Sequence, residues 1–202
     1  MFRYRAEMYA GIEHDASTRA SLETFAAPDQ PASISPTFRA VAALTFAEEA
    51  LQRGDPALGM HWIDAVEKHL SGGRQSAGSA IGMGIGMGLR GIAKLLLGEQ
   101  AIGLSLLHQG REQLGKVLGN EHPQTLFMML NEALALERAE RRADASALAA
   151  QASSGLRRSL GAGSPAYIRV RALAQRLSPE PADPPRGTMS STASRPADEF
   201  FF

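Results

Sequence analysis

The sequence predicts an all-α fold in which antiparallel helix pairs stack into a solenoid of about three repeats, followed by a capping helix. Residues 36–177 are rich in Ala, Leu, Met, Glu, Gln and Arg, and their β-branched and aromatic residues show no period-two alternation. This composition favours helix over strand. Glycine and proline interrupt it at short intervals, and part of the pattern recurs after 42 residues. Together these observations predict paired helices of similar length.

Residues 1–34 are expected to form a partly ordered lead-in to the first pair. Tyr4, Met8 and Ile12 share one helical face, and residues 16–25 are suited to a second short helix. Three prolines between this segment and residue 37 then interrupt the chain.

Residues 35–177 are expected to form the repeat domain. Helix-ending and helix-starting residues divide it into helical segments joined by short turns. The predicted breaks lie at Gly54-Asp55-Pro56, Ser71-Gly72-Gly73, Gly98-Glu99-Gln100, Gly119-Asn120 and Gly161-Ala162-Gly163. In the last segment, 165–177, apolar residues can face inward and three arginines outward, which is typical of a helix that caps a solenoid.

An internal repeat connects these segments. Leu118-Gly119 precedes Pro123 in the same way that Leu160-Gly161 precedes Pro165, with an offset of 42 residues. The same offset aligns small residues of two copies: Gly91 with Ala133, Gly103 with Ala145, and Gly110 with Ala152. A further copy begins near Pro36 and is offset by two more residues. Because one helix pair cannot bury its apolar face alone, several stacked copies are needed to build a core.

The segment LGNEHPQTLFMMLNEALALERAERRADASALAAQASSGLRRSLG resembles the 42-residue tetratricopeptide repeat of the kinesin light chain type. The likeness rests on an LG-x-x-HP-x-T start, an N-x-x-A helix and a second helix of small residues. It implies a right-handed superhelix whose first helices line a concave groove for a peptide or protein segment. Arg90 and Glu132 stand where that family usually has an apolar residue.

The resemblance also implies which residues line the groove. The repeat register places seven apolar residues on inward-facing first-helix positions, and Asn131 matches an asparagine that contacts the peptide backbone in that family. The implied groove residues are Val41, Leu44, Ile85, Ile92, Phe127, Leu130, Asn131 and Leu134. This apolar set suits a helix or an extended apolar segment as partner.

Residues 178–202 are expected to be a disordered tail, because Pro, Ser, Thr and Asp dominate and no apolar spacing suits a core. The tail ends in Phe200, Phe201 and Phe202. These phenylalanines suit docking into an apolar groove, either of this molecule or of a second copy through self-association. Alternatively, the three terminal phenylalanines have no binding role.

Composition argues against several function classes. Basic and acidic residues are equal at 21 each, which argues against nucleic-acid binding. There is no cysteine, and the first residues lack a long apolar run, so we expect a cytoplasmic protein.

Gly86-x-Gly88-x-x-Gly91 follows no predicted strand and therefore does not predict a nucleotide loop. Arg90 and Lys94 interrupt the same stretch, so it does not predict a membrane helix either.

No enzyme signature is present. His61 and Asp64 lie one helical turn apart without a third ligand at a suitable spacing, and His122 is expected in a turn. We therefore expect no catalytic residue, metal or cofactor. Phe46 and Trp62 are expected in the core of the first pair, whereas four methionines suit either core or groove: Met83, Met87, Met128 and Met129.

The sequence thus favours a non-catalytic interaction scaffold or adaptor, of the kind found in bacterial regulatory or secretion systems. The alternative is a ligand-sensing regulatory domain of a larger transcriptional regulator or kinase. A helical enzyme without a recognisable catalytic set is a third possibility.

Overall fold

The structure, a computed structural model, describes residues 16–27, 35–72, 76–177 and 200. All regular structure within these residues is α-helical, which confirms the predicted all-α class. The eight helices are α1 (Ala16–Ala26), α2 (Pro36–Gln52), α3 (Pro56–Ser71), α4 (Ala77–Leu96), α5 (Gln100–Leu118), α6 (Pro123–Arg138), α7 (Arg142–Leu160) and α8 (Pro165–Leu177). The expectations for residues 1–15, for 28–34 and for the tail other than Phe200 lie outside the described residues.

Each helix packs against the next helix along the chain, from α1 to α8. In addition, α2 contacts α4, and α4 contacts α6 to a smaller extent. We call α2, α4 and α6 the first helices, and α3, α5 and α7 the second helices. The contacts between alternate elements place the first helices side by side.

The predicted punctuation marks the helix ends. Proline occupies the first turn of α2, α3 and α6, where a missing N–H costs no intrahelical bond. The Asp55 carboxylate accepts a hydrogen bond from the Leu58 N–H at 2.9 Å, and His122 Nδ1 accepts one from the Gln124 N–H at 3.2 Å. His122 is therefore a helix-capping turn residue, as its place before Pro123 predicted.

The turn between the first and second helix of a pair has the same conformation three times. Gly54, Gly98 and Glu140 adopt positive φ angles of 75°, 82° and 61°. Each donates its N–H to the carbonyl three residues earlier, at 2.9–3.0 Å. Gly54 and Gly98 are 44 residues apart, and Gly98 and Glu140 are 42 apart. The repeat found in the sequence therefore also appears as a recurring backbone conformation of these turns.

Replacing Glu140 with glycine is expected to raise the free energy of unfolding by about 0.5–1 kcal/mol. A side chain is disfavoured in this left-handed conformation by roughly 1–2 kcal/mol, which exceeds the entropy that glycine adds to the unfolded chain. Urea unfolding followed by circular dichroism measures the change. The matched variant Gly98→Glu should lose stability, and an unchanged or lower value for Glu140→Gly would contradict the argument.

The glycine-rich stretch forms one continuous helix, α4, which crosses α5 at very short distance. A Cβ atom built on Gly91 would lie 2.8 Å from the carbonyl oxygen of Gly103, and one built on Gly110 would lie 2.8 Å from that of Gly84. These contacts confirm that the glycines permit α4 and α5 to approach closely. The spacing Gly86-x-Gly88-x-x-Gly91, which resembles a nucleotide-binding motif, lies within the helix α4. The alanines aligned with these positions in the next pair are completely buried: Ala133, Ala145 and Ala152.

The buried apolar residues form two clusters. The larger one extends from α1 to α6 and includes Phe200, and the smaller one joins α6, α7 and α8. Phe46 and Trp62 stack in the first pair with ring centroids 5.1 Å apart, which confirms their predicted place. Met128 and Met129 are buried, whereas Met83 and Met87 are half-buried.

Candidate functional site

The structure divides the eight predicted groove residues into two groups. Five of them are at most 4 % exposed and belong to the interior: Leu44, Ile92, Leu130, Asn131 and Leu134. The other three, Val41, Ile85 and Phe127, are half-buried. The larger part of the predicted groove lining therefore holds helices together and is not accessible to a partner.

The three half-buried residues occupy one equivalent position in successive first helices. Val41, Ile85 and Phe127 lie on α2, α4 and α6, with sequence separations of 44 and 42 residues. The first helices are neighbours, and these three side chains occupy equivalent positions on them; we call this set the first-helix stripe. Ile85 packs against the larger apolar cluster and Phe127 against the smaller one. The inner parts of the Ile85 and Phe127 side chains are thus anchored while their outer parts reach solvent.

Charged residues at a second repeated position link α4 and α6 to the second helix that precedes each of them. The Arg90 guanidinium of α4 donates to Asp64 at 2.7 Å and to Glu67 at 2.9 Å, both on α3. Burial opposes the charge on Arg90, but the hydrogen bonds and charges of the two acids outweigh it and raise the pKa of Arg90. The charge of Arg90 is therefore held in place between two helix pairs.

Glu132, 42 residues after Arg90, makes the corresponding link with opposite charge. Glu132 is 6 % exposed, and its carboxylate accepts a hydrogen bond from Arg111 Nε of α5 at 2.5 Å. His108 Nδ1 lies 2.9 Å from the other oxygen, and His108 Nε2 lies 3.4 Å from Glu112. Such a cluster can orient an imidazole. In the described part of the chain, however, no group of three or more His, Asp or Glu residues is arranged to hold a metal ion.

His69 fixes α1 to α3. Its side chain is buried, and its Nε2 lies 2.9 Å from the Ala26 carbonyl oxygen, which requires a hydrogen on that nitrogen. Desolvation by burial lowers the pKa of His69, with smaller contributions from the positive charges of Arg39 and Lys68, and the hydrogen bond to Ala26 opposes this shift. The neutral form of the His69 imidazole is therefore the one favoured in the folded protein.

The lowered pKa of His69 predicts acid sensitivity. At pH values above the ordinary value of 6.5, His69 is neutral in both states and contributes no pH dependence. As the pH falls below that value, the unfolded chain binds the proton first, so stability falls until the folded pKa is reached. Urea unfolding at pH 7.5 and pH 5.5 measures this loss. The variant His69→Gln, which keeps a neutral donor, should lose less stability between the two pH values; an equal loss would contradict the assignment.

Phe200 lies in an aromatic site at the C-terminal end of α6. Its side chain is 1 % exposed and belongs to the larger apolar cluster. The guanidinium carbon of Arg138 lies 4.7 Å from the ring centroid, which is a cation–π contact. Sequence reasoning singled out the three phenylalanines but missed Arg138, because no local pattern marks the residue on which a distant ring stacks. Phe201 and Phe202 lie outside the described residues, and self-association through the three phenylalanines stays a prediction.

The C-terminal end of α8 lies close to this aromatic site. Arg176 of α8 forms an ion pair with Glu137, the neighbour of Arg138, at 3.1 Å. From the other side, the Gln100 side chain at the start of α5 donates to the Arg138 carbonyl oxygen at 3.4 Å. The aromatic site is thus surrounded by the ends of three helices.

A cavity of about 410 Å³ lies where α3, α4 and α5 meet. Met83 and Met87 supply much of its apolar wall, and Ser76, Ser79 and Gln113 supply polar groups. Ser76 and Ser79 are already engaged in a reciprocal helix cap. Among the lining residues that the structure describes, none is charged, and their largely apolar side chains suit a largely apolar molecule.

Comparisons with known proteins add no relative. No protein-family model, curated protein or solved structure matches the chain. Among the described helices, none is long and apolar enough to cross a membrane. The first-helix stripe, the aromatic site and the cavity are the features of the described structure that bear on function.

Proposed function

We propose that the chain is a tetratricopeptide-like scaffold that binds a peptide or protein segment across its first helices. Three features support a repeat architecture: the recurring turn at Gly54, Gly98 and Glu140, the small residues at the helix crossings, and the contacts between alternate helices. These are the features expected when one helix-pair unit is stacked several times.

The first-helix stripe carries the proposal. Val41, Ile85 and Phe127 present half-buried apolar side chains from three adjacent helices, and equivalent positions in a stack recur at regular distances. A segment lying across the first helices can therefore place successive apolar side chains on successive pairs. The rigid helices on which these residues lie reduce the ordering cost of binding.

In this proposal the protein is non-catalytic, and its function is to bind a partner. The balanced charge of the sequence suits an apolar protein segment better than nucleic acid. A cytoplasmic adaptor of a bacterial regulatory or secretion system is the setting in which we place this scaffold.

Selection from a random peptide display library against the full chain tests the proposed function. We expect one family of enriched peptides with two or more spaced apolar residues, and we expect Ile85→Glu and Phe127→Glu each to abolish their binding. Leu58→Glu is the matched control, because Leu58 is an exposed apolar residue on a second helix and should leave binding unchanged. An absence of enrichment, or binding that survives both stripe substitutions, would refute the proposal.

The cavity favours a second candidate, the ligand-sensing regulatory domain of a larger regulator or kinase. Its volume of about 410 Å³ is in the range of small-molecule sites, and Met83 and Met87 offer an adaptable apolar wall. Native mass spectrometry of the gently purified full chain should then detect a bound small molecule that is lost in Met83→Trp. Detection of the protein mass alone would argue against this function.

A further inference from the structure

Phe200 is buried although no described helix carries it. It is the one described residue beyond Leu177, and its ring packs in the core of the helical array beside Arg138. Residue 200 lies in a bend and not in a helix, so its side chain is held by its own contacts.

The connection from α8 makes intramolecular docking straightforward. Leu177, the last residue of α8, is buried, and the neighbouring Arg176 pairs with Glu137 directly before Arg138. The chain therefore leaves α8 close to the aromatic site. Twenty-two residues separate Leu177 from Phe200, and even part of that length, at about 3.3 Å per extended residue, is sufficient to return to the site.

We propose that the C-terminal end of α6 is a recognition site for an aromatic peptide side chain, and that Phe200 occupies this site as an intramolecular ligand. The partner chemistry is an aromatic residue directly preceded by acidic residues, as in Asp198-Glu199-Phe200. An apolar pocket receives the ring, and the Arg138 guanidinium stacks on its face. The cationic guanidinium of Arg138 also suits an acidic flank.

This site is separate from the first-helix stripe. Arg138 lies 11 residues after Phe127 on α6, which corresponds to about 16 Å along the helix axis. The inference therefore goes beyond the proposed scaffold function and does not depend on it. Stripe substitutions test one site, and Arg138 substitutions test the other.

Peptide competition tests recognition at the aromatic site. A fluorescent peptide of residues 195–202 is titrated into the full chain carrying Phe200→Ala, and anisotropy is measured. A tethered competitor has an effective concentration of the order of millimolar, so we expect the peptide to bind this variant about tenfold or more tighter than the wild-type chain. Replacement of the first phenylalanine of the peptide with alanine should abolish binding.

Arg138 variants identify the site in the same assay. On the Phe200→Ala background, Arg138→Ala should weaken peptide binding by about 3- to 30-fold, and Arg138→Lys should weaken it less. Arg158→Ala is the control, because Arg158 is an exposed α7 arginine paired with Glu121, and it should have no effect. Equal binding to wild type and Phe200→Ala, absence of binding to both, or insensitivity to Arg138 would overturn the proposal.

A photocrosslinker at position 200 tests the proposal in a folded chain without an alanine substitution. p-Benzoylphenylalanine at residue 200 should crosslink within its own chain to the C-terminal half of α6, whereas the same group at Ser190 should not concentrate there. Mixing ¹⁴N- and ¹⁵N-labelled protein distinguishes the source of each crosslink. Crosslinks between two chains, or crosslinks to other helices, would overturn the assignment of Phe200 as an intramolecular ligand.

Discussion

Replacement of Gly91 with alanine should lower the free energy of unfolding by about 1–3 kcal/mol, the range observed when a packed core receives an extra methyl group. The new Cβ would lie 2.8 Å from the Gly103 carbonyl oxygen and 3.0 Å from the Leu107 nitrogen. Both atoms belong to the backbone of α5, so no side-chain rotation relieves the contact. Either α4 and α5 must separate along their crossing, or the methyl group remains compressed.

Gly86→Ala is the matched control in the same helix. A Cβ at Gly86 would meet Val66 Cγ1 at 3.6 Å, which is an ordinary van der Waals distance. Because alanine has a higher helix propensity than glycine, this variant should gain up to about 1 kcal/mol. Urea unfolding of the two variants side by side therefore gives opposite signs. If Gly91→Ala were also stabilising, the close crossing of α4 and α5 would be wrong.

Glu132→Lys should destabilise the protein by about 3–5 kcal/mol, the cost of breaking a buried ion pair by removing one partner. Glu132 is 6 % exposed, and its carboxylate accepts a hydrogen bond from Arg111 at 2.5 Å. A lysine there would bring a second cation against Arg111 in a site with little access to water. Chemical unfolding monitored by circular dichroism measures the loss.

A double-mutant cycle separates the ion pair from simple disruption of packing. Arg111→Glu on the Glu132→Lys background restores opposite charges, and we expect at least about 1 kcal/mol of coupling between the two substitutions. Glu112→Lys on the same helix is the control, because Glu112 is about half exposed and exposed pairs contribute about 0–1 kcal/mol. Zero coupling would show that Glu132 stabilises the protein by packing alone.

Most helix boundaries and the helix crossings were accessible from the sequence because they depend on local chemistry, but the boundary between α6 and α7 was not predicted. Proline and glycine mark helix ends through their backbone restrictions, and the aligned small residues show where two helices must meet. The conformation of Glu140 was less accessible, because a non-glycine residue at a left-handed turn position carries no signal of its own. The left-handed conformation of Glu140 can be inferred from the alignment of this residue with Gly98.

The accessibility of the candidate groove was not predictable in the same way. The repeat register gives the direction in which Leu130 and Leu134 point, but it does not show which neighbouring elements cover them. Burial depends on packing between elements that are distant in sequence, and α6 is buried along nearly its whole length. The stacking of Phe200 on Arg138 is a contact of the same kind, since 61 residues separate the two in the sequence.

The opposite charges of Arg90 and Glu132 have a consequence for the order of the repeats. Between α3 and α4, Asp64 and Glu67 of α3 pair with Arg90 of α4. Between α5 and α6, His108 and Arg111 of α5 pair with Glu132 of α6. A duplicated middle pair would set Arg111 against a second copy of Arg90, and a deleted one would set Glu67 against Glu132. The helix pairs are therefore not interchangeable modules, and a lengthened or shortened array would require new charges at each altered junction.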